Sequence, residues 1–166
     1  MSLWILDTDM VSLFQREHPI VRQRVSAADP KKIGVTVVTA EEQLRGRLHI
    51  IRKAKSPDAL ISAYAKWRAT LDYFRTANLL DFDRDAYNCY ADLVSQKIRI
   101  GTRDLRIAAI AISRNGIVVT RNRRDFERVP DLQLEDWTVE RNRTGIGNYF
   151  TPQLRIGISN YYCKQS

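Results

Sequence analysis

Residues 3–9 read Leu3-Trp4-Ile5-Leu6-Asp7-Thr8-Asp9, four apolar residues stopped by an acid. Such a short run reads as a buried strand. Thr8 or Asp9 is then placed to cap a helix that extends to about Gln15. The unit recurs along the chain. Ile33 to Val38 is a β-branched run, followed by Thr39 as a cap with Glu42 at the capping-box spacing. Leu79 to Phe82, Ile117 to Thr120 and Leu132 to Leu134 read as further short strands. Between them lie helical stretches. One follows Pro19. A longer one opens at Ser56-Pro57-Asp58, with Leu60, Tyr64, Trp67, Leu71 and Phe74 as its apolar stripe. Asp83 caps the next. Thr102 caps a helix from Arg103 to Arg114, with Gly116 placed to end it. Ile107 to Ile112 within it is unbroken apolar sequence, which predicts burial on most sides. Alternating strands and helices predict an α/β fold, a central parallel sheet flanked by helices on both faces. Sites in such sheets form beyond the carboxyl ends of the strands.

The 166 residues suit one domain and can bury a core without disulfides. The net charge of +8 favours partners that present phosphates or other anions. Cys89 and Cys163 are far apart and form no C-x-x-C, so neither a disulfide framework nor a zinc site is expected. That usage fits a reducing, cytoplasmic setting. Asp7 arrives too early for a signal peptide, and no run of 18 apolar residues predicts a membrane span. Composition changes near residue 139. Residues 1–138 read as the folded domain, and 139–166, with Gly145, Gly147 and Gly157, as a C-terminal extension of flexible type.

Four acids stand near strand ends or helix starts. Asp7 ends the first strand, Glu42 lies beyond the second, Asp104 opens the buried helix, and Asp125 follows the strand at Ile117. Converging there, they would make an oxygen-rich site suited to magnesium or manganese rather than zinc. Such a site can hold a phosphodiester and activate a water. Each acid also has a local reading. Asp104 complements its helix dipole, Glu42 completes a capping box, and Asp125 is an N-cap. Asp7 is harder to explain locally, because an acid at the end of a buried strand needs a partner. The two histidines, His18 and His49, belong to no motif.

Four blocks in order then resemble a known family. WILDTD at 4–9, VTAEEQLRG at 38–46, RIGTRDLRIAAIA at 99–111 and VVTRNRRDFERVPDLQLEDW at 118–137 are similar to the PIN-domain toxins called VapC. The resemblance covers about residues 3–137. It implies a PIN-like nuclease domain over residues 1–138, and an endoribonuclease that uses Mg2+ or Mn2+. It implies that Asp7, Glu42 and Asp104 are the principal catalytic and metal-site acids, with Asn122 and Asp125 in the fourth, more variable region. Asp9 stands where family members often carry asparagine. Glu41 competes with Glu42, and the spacing to Thr39 and Gly46 favours Glu42. Asp9, Asn122 and Thr102 are further site candidates. The resemblance also implies a homodimer, an antitoxin partner that blocks the acids, and an RNA target.

Arginines flank three of these acids, Glu42, Asp104 and Asp125. Arg45 and Arg47 follow Glu42, Arg103 adjoins Asp104, and Arg121, Arg123 and Arg124 lead into Asp125. As a group they are expected to hold RNA phosphates, although any one of them alone fits a solvated helix face. Two rival readings remain. Asp7-Thr8-Asp9 after a strand approximates the signature of haloacid-dehalogenase-type phosphatases, but the lysine and glycine–aspartate elements of that class have no convincing counterpart. A non-catalytic RNA-binding or regulatory module on the same fold would use the basic charge equally well. It would gain nothing from clustered acids facing phosphates.

Overall fold

A computed structural model describes residues 2–140, so all but the first two positions of the 139–166 extension lie outside the described residues. The chain runs β1 (Trp4–Leu6), α1 (Thr8–Gln15), α2 (Pro19–Ala27), a 3-10 turn (Pro30–Lys32), β2 (Ile33–Thr36), α3 (Val37–Lys53) and α4 (Pro57–Thr76). It continues through β3 (Leu79–Leu80), α5 (Arg84–Ser95), α6 (Thr102–Ser113), β4 (Ile117–Val119), α7 (Arg123–Phe126) and β5 (Gln133–Glu135). All strand pairings are parallel, in the order β3-β2-β1-β4-β5. The expected parallel α/β sheet is therefore present. Its order reverses at β1, where Leu6 pairs with Val35 on one side and Val119 on the other. That switch point opens a crevice beyond the carboxyl ends of β1 and β4.

Alternation along the strands builds a core on each face. Ile5 and Val118 pack with the buried residues of α5 and α6, including Cys89, Leu93 and the segment Ile107 to Ala111. Leu6, Val35 and Val119 pack with Met10 and Val11 of α1, Val21 of α2, Phe74 of α4 and Trp137. Trp4 and Trp137 are joined at the sheet edge by Glu135, whose two carboxylate oxygens accept one indole N–H each, at 3.2 and 2.7 Å.

Several boundaries differ from the sequence expectation. Asp7 itself caps α1, its Oδ1 accepting from the Met10 N–H at 2.7 Å. β2 ends at Thr36, which caps α3 through the Thr39 N–H at 3.1 Å. A cap must stand where the backbone is still extended, and Thr36 satisfies this while Thr39 is already helical. Glu42 therefore lies too deep in α3 for a capping box. Gly101, not Thr102, precedes α6, and Asp125 lies within α7, whose N-cap is Asn122.

The end of α6 is closed by Asn115 at φ 50°. Asn115 N–H bonds Ile112 O and Gly116 N–H bonds Ala111 O, at 3.1 and 2.8 Å, the Schellman pattern. Gly116 serves close packing instead. A Cβ there would fall 2.6 Å from Ile5 Cδ1 and 3.2 Å from the Leu3 carbonyl oxygen. The apolar stripe of α4 is only partly buried. Its inner face is Ala63, Thr70 and Phe74, while Leu60, Tyr64 and Leu71 are exposed. Small residues there give Arg47 of α3 room to reach Thr70 Oγ1 at 2.9 Å.

Candidate functional site

The crevice at the switch point is walled by α1, α3 and α6, each delivering an acid. Asp7 leaves β1 and is buried. Besides the cap bond from Met10, it accepts the Thr120 hydroxyl on Oδ2 at 2.5 Å. Thr120 is itself fully buried and accepts the Asn122 N–H at 2.9 Å. Burial pushes the Asp7 carboxyl up to about 6, against the pull of these two hydrogen bonds, and the charges of Asp9 and Asp104 push the same way. Asp104 sits in the first turn of α6. Its pKa is also raised, first by burial and then by the charges of Glu42 and Asp125, while Arg103 works in the opposite direction. Glu42, in the second turn of α3, accepts the Thr8 hydroxyl on one oxygen and Arg103 Nη1 at 3.1 Å on the other.

Asp7, Thr8, Asp9, Ser12, Glu42, Asp104 and Asn122 line a depression of about 360 Å³. Asp7, Glu42 and Asp104 are thus brought together from positions 35 and more residues apart in the chain. Asp125 stands beside the depression rather than in its lining. It accepts from Asn122 Nδ2 at 3.0 Å and acts on Asp104 through charge. Thr102, exposed at the first position of α6, is not in the lining. Glu41 faces away and pairs with Arg45, so Glu42 is the acid that α3 contributes. Asp9 is gripped by Arg121, Nε to Oδ2 at 2.7 Å and Nη2 to Oδ1 at 2.9 Å. A carboxylate so engaged is poorly placed as the general acid of the phosphatase reading.

The donors around the depression are carboxylate, hydroxyl and carboxamide oxygens, the set that hard divalent cations take. Like charges that raise one another's pKa are also what a cation relieves. The residues therefore fit Mg2+ or Mn2+. Among the described residues no three His, Cys, Asp or Glu side chains form a ready-made metal shell. Both oxygens of Asp7 and both of Glu42 are engaged within the chain.

Most of the arginines also have internal partners. Arg47 reaches Thr70 and, at 3.4 Å, Gln15. Arg103 holds Glu42, Arg121 holds Asp9, and Arg123 holds Glu127. Arg124 is exposed and makes no ion pair among the described residues. Sequence reasoning missed Thr120 and Thr8 as partners of the acids. The available signal was a hydroxyl closing a fully apolar strand, where a buried polar group must find a partner.

Comparison with known proteins places these features. No family model matches the chain. It is 30% identical over 143 residues to the tRNA(fMet)-specific endonuclease VapC of Shigella flexneri, covering 83% of this chain and 100% of that protein. It is 28% identical over 145 residues to ribonuclease VapC1 of Haemophilus influenzae strain R2866, covering 82% and 98%. Its fold matches chains in VapBC-1 from nontypeable Haemophilus influenzae and in DNA-bound VapBC from Salmonella typhimurium. Each match has a TM-score of 0.66 and 26% identity, over 82% of this chain and 99% of the other. Among the described residues no helix is long and apolar enough to cross a membrane. With 30% identity spanning a relative from end to end, and a fold that matches chains of VapBC complexes, the chain belongs to the VapC family of PIN-domain ribonucleases.

Proposed function

We propose that this chain is a metal-dependent endoribonuclease that hydrolyses RNA phosphodiester bonds as the toxin of a toxin–antitoxin pair. The observation that carries this reading is the meeting of Asp7, Glu42 and Asp104 in one depression at the switch point. These three would hold Mg2+ or Mn2+, with Asp125 alongside through Asn122. When bound, the ion supplies an activated water and stabilises charge on the departing oxygen. The chain's own residues prepare the place. Met10 N–H and Thr120 fix both oxygens of Asp7. Arg103 and Thr8 hold Glu42 against the wall until a cation competes for it. Arg103 also offsets the carboxylates' mutual repulsion.

Transfer RNA is the first substrate class to test, since one relative is a tRNA(fMet)-specific endonuclease. An antitoxin partner is supported by the similarity to chains solved as VapBC complexes. Exposed Leu48 and Ile50 of α3 with Ile61, Tyr64 and Leu71 of α4 supply apolar surface of the kind that a protein partner or a second copy covers. A homodimer with RNA-facing Arg124 belongs to the same proposal.

The test is incubation of the partner-free chain with pooled cellular RNA and transfer RNA, with Mn2+ or Mg2+ against a chelator. Asp7→Asn and Asp104→Asn are assayed in parallel. Cleavage that needs the metal and vanishes in both variants supports the proposal. Folded protein that binds transfer RNA but never cuts it would instead be a non-catalytic RNA-binding module.

A further inference from the structure

Asp9 and Arg121 meet at the rim of the acid depression. Asp9 is in the first turn of α1 and belongs to the lining. Arg121 lies between Thr120, which binds Asp7, and Asn122, which also lines the depression. The guanidinium approaches side-on through Nε and Nη2. This uses two of its five N–H donors, and leaves both of those on Nη1 and one on Nη2. Arg121 is about half exposed, at 49%, so those donors remain open to a ligand. An exposed ion pair contributes little to stability. It does fix a long flexible side chain in one orientation, and it cancels a negative charge that would repel an approaching phosphate.

We propose that Asp9 is a positioning residue rather than a metal ligand, and that it holds Arg121 at the rim so that the free guanidinium donors bind a backbone phosphate of the RNA. The planar fork of arginine suits a phosphate as well as it suits Asp9 on its other edge. This assignment rests on the ribonuclease reading. It identifies one anchoring contact for the strand and separates Asp9 from the acids that would hold the metal.

Two measurements test it. The first is binding of fluorescently labelled transfer RNA by the Asp104→Asn chain across a salt series, where no cleavage is needed. Adding Arg121→Ala should weaken binding roughly tenfold and lower the slope of log affinity against log salt by about 1. Arg121→Lys should restore the slope but not the full affinity. Asp9→Asn should weaken binding more mildly, and should have no further effect once Arg121 is alanine. The second is cleavage of transfer RNA by the otherwise unaltered chain, in which Asp9→Asn should act on KM more than on kcat. A rise in the Mn2+ concentration needed for half activity that appears in Asp9→Asn but not in Arg121→Ala would make Asp9 a ligand and overturn the proposal. Unchanged affinity and salt slope in Arg121→Ala would overturn it equally. If the chain never cleaves RNA, the ribonuclease reading fails by itself, and the binding series still decides the role of Arg121.

Discussion

The Thr120 hydroxyl donates to Asp7 Oδ2 at 2.5 Å across the junction of β1 and β4, and accepts in turn from the Asn122 N–H at 2.9 Å. The first acid of the site is thereby tied to the turn that carries Arg121 and Asn122 and leads into Asp125 of α7. The bond favours the ionised carboxylate and opposes the effect of burial. Thr120→Val keeps the shape and removes the hydroxyl. The Asp7 pKa should then rise further above about 6. At a fixed Mn2+ concentration, the acid limb of the pH–rate profile for RNA cleavage should move to higher pH, with the loss confined to that limb. An unmoved acid limb in a folded variant would show that Asp7 ionisation does not govern the rate.

The same buried carboxylate should weaken the fold. Its pKa in the folded chain lies above the usual 3.8, so between about pH 4 and 6 the folded state binds more protons than the unfolded state. Stability contributed at Asp7 therefore falls as pH rises through that window, and the full penalty is present above it. The shift to about 6 corresponds to about 3 kcal/mol. Asn at this position can still accept from Met10 N–H and can donate to Thr120, whose hydroxyl can turn to accept. In metal-free buffer at pH 7.5, Asp7→Asn should gain about 1–2 kcal/mol by denaturant unfolding, with the gain shrinking towards pH 4, while RNA cleavage is lost. A destabilised Asp7→Asn chain at pH 7.5 would contradict this.

How much of this could be read from residues alone depended on distance along the chain. The strands Trp4–Leu6 and Ile117–Val119 and the buried helix carrying Ile107 to Ala111 announce themselves by local apolar pattern. Parallel order follows from alternation. Asp7 and Asp104 were legible because one ends a strand and the other opens a helix that the fold sends to the same edge, and Glu42 joins them from the second turn of α3. Caps were misplaced by a residue or more, since Thr36, Thr39 and Thr8 are locally equivalent hydroxyls and only tertiary packing decides which one bonds where. Arg45–Glu41 and Arg123–Glu127 are local pairs at helical spacing, but the distant partners of Arg47, Arg103 and Arg121 were not legible. Arg121 and Asp9 are 112 residues apart, and nothing local tells an arginine aimed at a phosphate from one aimed at a carboxylate.

Glu41 and Glu42 are neighbours in sequence with opposite orientations. Glu41 pairs on the surface with Arg45, and Glu42 faces Thr8 and Arg103 in the depression. Glu41→Gln should leave the cleavage rate within about threefold and change stability by under about 0.5 kcal/mol. Glu42→Gln should reduce cleavage by roughly a hundredfold. Assay of both on the same RNA checks the assignment, and equal losses would mean that α3 presents a different face in the working enzyme.

Arg47 and Arg124 should separate structure from RNA contact. Arg47 is held by Thr70 and Gln15 between α1, α3 and α4. Its replacement by alanine leaves partners unsatisfied and should cost about 1–3 kcal/mol of stability, with little change in the salt slope of RNA binding. Arg124 is exposed on α7. Arg124→Ala should leave the denaturation midpoint in place and lower the salt slope by about 1. The reverse pattern would move the RNA path from α7 to α3.

Gly116 sets how closely the turn after α6 can approach β1. A methyl group would sit 2.6 Å from Ile5 Cδ1 and 3.2 Å from the Leu3 carbonyl oxygen. The Ile5 side chain is fully buried and the Leu3 oxygen is bonded to Ile117 N–H at 2.8 Å, so neither can retreat freely. Gly116→Ala should therefore destabilise by about 1–3 kcal/mol through overpacking, measured by urea unfolding. Asn115 presents the opposite case, because its φ of 50° is a backbone state that glycine adopts without strain. Asn115→Gly should be neutral or stabilising by up to about 1 kcal/mol. If alanine at Gly116 were harmless while glycine at Asn115 destabilised, the helix end would be closed by the asparagine side chain, and the backbone account of the Schellman turn would have to be replaced.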